Sequence, residues 1–201
     1  MSEKILDVAG HKCRAVYSVV SGVPVVFLHG FSYTSGVWQR ISITALLTEK
    51  QLPFMVLDMP YGLKSECRPK THDTENNVNV VHEALESVFG LATPVLVGAS
   101  VGGHVALSYA ARFPVKGLLL VAPGRALEKS LSHAYSAFRF PVRIIWGSGD
   151  NIISGEDMRT LAGVLPDAKL VVYEGAGHSA YLAQPYSFKR DLLELYALAE
   201  Q

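Results

Sequence analysis

The stretch Pro94-Val95-Leu96-Val97-Gly98-Ala99-Ser100-Val101-Gly102-Gly103 decides the reading of this sequence. An apolar run ends in Gly-x-Ser-x-Gly, and helical periodicity begins at once, from His104 to Phe113. In a strand-to-helix turn of this composition the serine is held in a strained conformation, and the flanking glycines remove Cβ atoms that would collide. The Ser100 hydroxyl is thereby exposed. The helix that follows aims its first amides and its dipole at the same place, so negative charge developing on a substrate oxygen meets N–H donors, the Val101 amide first among them. The bland alternative is a glycine-rich turn that only packs a helix onto a strand.

Outward from this turn, short apolar runs alternate with longer stretches of helical spacing. The runs are Val25 to Leu28, Phe54 to Leu57, Val95 to Val97, Lys116 to Val121, Val142 to Trp146 and Lys169 to Tyr173. They are rich in Val, Leu and Ile without strict alternation, as strands covered on both faces must be, which predicts a mostly parallel sheet with helices on both sides. Lys4 to Val8 and Lys12 to Val19, separated by Ala9-Gly10-His11, have the partial alternation of an antiparallel hairpin at one sheet edge. Helical spacing is found at Val37 to Lys50, Asn76 to Phe89, Val101 to Phe113, Glu156 to Leu165 and Tyr186 to Ala199. Ser35 and Pro185 mark the starts of the first and last. No repeat or linker interrupts residues 1–201, and one α/β domain is expected.

Composition narrows the function. Of 201 residues 49% are apolar and 18% charged, with 18 Lys plus Arg against 18 Asp plus Glu. This balance creates no field that would draw the chain to nucleic acid. The apolar runs are far shorter than the roughly 18 residues a membrane span needs. Met1-Ser2-Glu3-Lys4 leads into a mixed segment without the apolar core of a secretory signal, so a cytoplasmic location is expected. Cys13 and Cys67 lack metal-site or redox spacing and are expected as reduced thiols. No His or carboxylate spacing points to a metal, and no cofactor is expected.

A serine hydroxyl is a weak nucleophile near neutrality and needs a histidine base and a carboxylate that orients it, both at the same sheet edge. Asp150 follows the Val142 run through Gly147-Ser148-Gly149, and His178 follows the Lys169 run through Glu174-Gly175-Ala176-Gly177. The chain order is Ser, Asp, His. The other polar residues have plainer roles. His11, His72, His82 and His133 fall in hairpin, loop or surface-helix patterns, His104 packs or caps on the helix after Ser100, and Asp157 and Asp167 border a helix. Asp58 is a rival orienter that follows too early a strand.

These motifs together resemble the α/β-hydrolase superfamily, over nearly the whole chain from the hairpin to the last helix. The resemblance implies Ser100, Asp150 and His178 as a catalytic triad. His29-Gly30-Phe31 stands after the strand Val25 to Leu28, where the family places its second oxyanion donor; by resemblance that donor is the Phe31 amide, with Val101 the first, and His29 is structural. Asp58-Met59-Pro60-Tyr61-Gly62-Leu63-Lys64-Ser65 is similar to the family's Asp-x-Pro-Gly-x-Gly-x-Ser, with Tyr61 and Leu63 where glycines are usual. Serine at position 100 disfavours haloalkane dehalogenases, which carry Asp there, and dienelactone hydrolases, which carry Cys.

Many relatives insert a large helical cap where this chain has only about residues 125–141, which leaves a minimal lid. Leu127, Leu131, Tyr135 and Phe138 recur there at helical spacing, facing either the site or the sheet. Tyr33, Trp38, Tyr61, Arg125, Tyr135 and Tyr181 are candidate substrate-binding residues beside the catalytic loops. The sequence thus predicts a serine hydrolase of esterase type acting on a small acyl substrate, as monomer or homodimer. The rivals are an acyltransferase or perhydrolase with the same triad, and a noncatalytic binding protein of the same fold.

Overall fold

The computed structural model describes residues 1–90 and 92–201. Its centre is an eight-stranded sheet: β1 (Ser2–Val8), β2 (His11–Ser18), β3 (Val25–Leu28), β4 (Phe54–Leu57), β5 (Val95–Ala99), β6 (Gly117–Val121), β7 (Val142–Gly147) and β8 (Ala168–Tyr173). The spatial order is β1-β2-β4-β3-β5-β6-β7-β8. β1 and β2 pair antiparallel, β2 joins β4 antiparallel, and all other pairings are parallel. The expected mostly parallel sheet with an antiparallel hairpin at one edge is observed.

Helices α1 (Gly36–Arg40), α2 (Ile43–Glu49), α3 (Thr74–Phe89), α4 (Val101–Ala110), α5 (Lys129–Ser132), α6 (Gly155–Val164), α7 (Ala180–Ala183) and α8 (Pro185–Ala199) cover the sheet. Successive strand residues point to opposite faces, and the core divides accordingly. Val26, Leu28, Leu96, Leu118 and Leu120 pack with α3, α4 and α6. Val25, Phe27, Val95, Val97 and Leu119 pack with α1, α2, α7 and α8. Both faces are therefore dry, which is why these strands lack alternation.

Two features depart from the sequence reading, and a third closes an alternative it left open. Val37 to Lys50 is two helices, because Ser42 takes a left-handed conformation (φ 60°) that ends one turn and starts the next. Cys13 and Cys67 are bonded to each other. An antiparallel bridge between Lys12 and Arg68 (Lys12 N–H to Arg68 O, 2.7 Å) sets the neighbouring cysteines side by side, a contact between distant segments that no local spacing announces. The lid segment is only the single turn α5 and a 3-10 turn at Tyr135–Ala137, and Leu131, Tyr135 and Phe138 join the sheet's core. Among the described residues no helix is long and apolar enough to cross a membrane.

A buried ion cluster ties α8 to the sheet. Arg143 on β7 lies 3.6 Å from Asp191 and 3.2 Å from Glu194, and the Tyr173 hydroxyl donates to Asp191 (2.7 Å).

Candidate active site

Ser100 sits between β5 and α4 with φ 52° and ψ −114°, a conformation that L-residues rarely adopt. Its neighbours make this possible. A Cβ on Gly98 would meet the Gly102 backbone, and a Cβ on Gly102 would meet the Leu28 carbonyl at the end of β3. The turn is also pinned from β6. Ser100 N–H donates to the Val121 carbonyl (2.9 Å), and Ser100 O accepts from the amides of Gly103, His104 and Gly124. The rigidity of the turn thus comes from its neighbours on both sides.

The loop after β3 is braced from beneath. His29 is fully buried; Nδ1 donates to the Gly30 carbonyl (2.8 Å) and Nε2 accepts from the Met59 amide (3.0 Å), an arrangement only the neutral ring satisfies. Burial pushes its pKa below the ordinary imidazole value. The Tyr61 hydroxyl donates to the His29 carbonyl (2.6 Å), and the Leu63 amide donates to the Phe31 carbonyl (2.8 Å). The two residues that replace the usual glycines therefore hold the Phe31 loop, one by its side chain and the other by its backbone. Asp58 belongs to this brace: its carboxylate accepts from the amides of Ser35 (2.6 Å) and Glu66 (3.2 Å). Among the described residues, the amides of Phe31 and Val101 donate to no protein acceptor.

Asp150 and His178 meet at the carboxyl ends of β7 and β8. The buried Asp150 carboxylate accepts from Ile152 N–H (2.8 Å) and Ile153 N–H (3.1 Å) through one oxygen. The other oxygen accepts from His178 Nδ1 at 2.8 Å. A cavity of about 270 Å³ is lined by Ser100, His178, Tyr33, Ile152, Ser179 and Tyr181 among others. The Tyr33 hydroxyl and Ser179 Oγ, from two residues of its lining, are hydrogen-bonded to each other at 3.1 Å. Among the described residues His178 is hydrogen-bonded to Asp150, and no hydrogen bond joins it to Ser100.

The remaining candidates divide by place. Tyr33 and Tyr181 line the cavity. Trp38 does not: it is fully buried, its ring 4.9 Å from that of Tyr181 and 5.2 Å from that of Phe27, and it supports the wall from behind. Tyr135 is likewise a core residue, its hydroxyl donating to the Ala126 carbonyl (2.5 Å) to fasten the lid. Tyr61 and Arg125 line a second cavity of about 180 Å³ that also includes Phe31, His72, Asn77, Val101 and His104. Arg125 is paired to Glu128 (2.5 Å). Ile152, Ser179 and Asn77 escaped the sequence reading; the first two lie within two residues of Asp150 and His178, a signal that could have found them. Among the described residues no group of three or more His, Cys, Asp or Glu could hold a metal ion.

The profile of a family described as the alpha/beta hydrolase family matches residues 25–143. Human protein ABHD14A is 30% identical over 173 residues, which is 85% of this chain and 63% of that protein; this chain thus spans less than two thirds of that relative's length. Rat ABHD14B, provisionally named a protein-lysine deacylase, is 27% identical over 85% of this chain and 81% of its own. A solved chain from Thermoplasma acidophilum described as a CIB-like hydrolase superposes with a TM-score of 0.85 at 23% identity, covering 96% of each chain, a likeness of fold.

Proposed function

The chain belongs to the alpha/beta hydrolase family, and on that footing we propose that it is a serine hydrolase cleaving a small carboxylic ester or related acyl substrate through an acyl-enzyme on Ser100. The observation that carries the reading is the buried Asp150 carboxylate bonded to His178 Nδ1, with the imidazole and Ser100 on one cavity wall.

A proton on Nδ1, held by the carboxylate, leaves Nε2 as the basic nitrogen. Ser100 Oγ attacks the acyl carbon while its proton passes to His178, and the imidazolium is stabilised by Asp150. The carbonyl oxygen, now negative, is received by the amides of Phe31 and Val101. Collapse of the tetrahedral intermediate breaks the bond to the leaving group, which takes the proton from His178. Water then repeats the sequence on the acyl-enzyme, releasing the acid and restoring the serine. Each oxyanion donor supplies on the order of 3 kcal/mol of transition-state stabilisation.

Ser100→Ala tests this directly. With short p-nitrophenyl esters the variant is expected to lose about four to six orders of magnitude in kcat while keeping its fold. Equal rates in variant and parent would remove Ser100 as the nucleophile. The provisional name of the rat relative makes an acylated lysine amide the second substrate class to include.

A further inference from the structure

Both amides assigned to the oxyanion belong to residues that line the second cavity, Phe31 and Val101, and Phe31 borders the Ser100 cavity as well. A leaving group must lie beside His178 to receive its proton, so the acyl chain extends away from the imidazole, past the two amides. The second cavity is the space available there.

Its wall is largely carbon. Val101 and Val105 stand one turn apart on α4 and so share a face of that helix, and Phe31 and Tyr61 add two aromatic side chains. The polar residues around it are engaged elsewhere or closed off. Asn77 Nδ2 donates to the carbonyls of Asp73 (2.7 Å) and Thr71 (3.3 Å), Asn77 Oδ1 and His104 Nδ1 are buried beneath the surface, and the Arg125 guanidinium is held by Glu128. The cavity also has a limit. At roughly 30 Å³ per water-sized group, its 180 Å³ admits about six such groups. Thr74, His104 and Arg125 border both this cavity and an open cleft of about 600 Å³, on whose walls Arg112 and Glu75 form an exposed pair (3.5 Å). A methylene placed in the cavity leaves water, whereas one that reaches the cleft stays wet.

We infer that the second cavity is the acyl site and that it selects an apolar acyl chain of up to about seven carbons, six in the cavity and one at Ser100. This rests on the hydrolase reading above. Each methylene up to that length gains about fourfold in kcat/KM, and those beyond it gain nothing.

The experiment measures kcat/KM for p-nitrophenyl acetate, butanoate, hexanoate, octanoate and decanoate below their solubility limits, each normalised to its alkaline hydrolysis rate. The expected result is a rise of at least about tenfold from acetate to hexanoate and less than about twofold from octanoate to decanoate. Two variants move the limit in opposite directions. A Cβ on Gly124, another residue of the wall, meets no atom within 4 Å, so Gly124→Val fills the space and should lower the hexanoate-to-acetate ratio at least about fivefold. Val105→Ala enlarges the space and should raise the octanoate-to-hexanoate ratio. Both readouts are ratios, which a partial loss of folded protein leaves unchanged. A flat series, or a rise continuing through decanoate, would overturn the acyl-site inference and leave the hydrolase reading intact. So would rates for methyl, butyl and hexyl acetates that climb with the alcohol while the acyl series stays flat, since the cavity would then hold the leaving group. If no ester is turned over, the hydrolase reading fails, and NMR titration of the Ser100→Ala protein with butanamide and hexanamide still decides the site. Tighter binding of hexanamide, with shifts at the Val101 and Val105 methyls, supports it; equal affinity, or no binding, overturns it.

Discussion

In the proposed mechanism His178 acts as a base at Nε2 only while its other nitrogen keeps a proton, a role given to the Asp150 carboxylate, which two backbone amides hold 2.8 Å from Nδ1. Asp150→Asn preserves the shape but offers an N–H to Nδ1 and favours the wrong tautomer, so kcat is expected to fall about 10⁴-fold with little change in melting temperature. A fall of less than tenfold would show that Asp150 does not orient the base. His29 makes a different prediction. Its pKa is lowered in the fold by burial, so between the ordinary value of 6.5 and the lowered one the unfolded chain binds a proton the folded chain does not. Its contribution is fully present above pH 6.5 and is lost as pH falls through the folded value. Urea unfolding from pH 8 to 5 should therefore show declining stability, with a shallower slope in His29→Asn and an offset of about 1–3 kcal/mol at pH 8 from the unpaired Met59 amide. At this scale what was legible is position: Ser100, Asp150 and His178 follow the ends of strands β5, β7 and β8 as read, and Asp150 meets His178, while their catalytic roles are the proposal above. It was not legible for Trp38 and Tyr135. An aromatic residue near a catalytic loop can face cavity or core, and only the packing of Phe27, Tyr181 and Ala126 around them settles which.

At the scale of elements, strands β3 and β4 could be read to the residue because apolar side chains on both faces leave no ambiguity about burial. The break between α1 and α2 was hidden, since Ser42 carries no glycine or proline signal, and α7 is one turn long, too short for any period to register. The Cys13–Cys67 bond and the Arg143–Asp191 contact join segments far apart in the chain, where sequence offers pattern but not proximity. The latter yields a prediction. Asp191 is 2% exposed and also takes the Tyr173 hydroxyl and the Arg190 guanidinium, so Arg143→Met strips a buried carboxylate of its buried cation. The expected loss is about 3–5 kcal/mol by urea unfolding, and a double variant with Asp191→Leu should recover part of it. Additive losses in the double variant would contradict the pairing.

Across the whole molecule, the sheet places Ser100, Asp150 and His178, drawn from three separate strand ends, at one carboxyl edge, while the 58–66 segment braces the Phe31 loop opposite. The nucleophile reading depends on that convergence more than on any single motif. Labelling the native protein with a fluorophosphonate and mapping the adduct by mass spectrometry tests it most directly, since the reagent reports an activated serine whatever the natural substrate. The expected result is one phosphonyl group per chain on Ser100, with labelling greatly slowed by His178→Gln. An unlabelled native protein, or a label on another residue, would contradict the account.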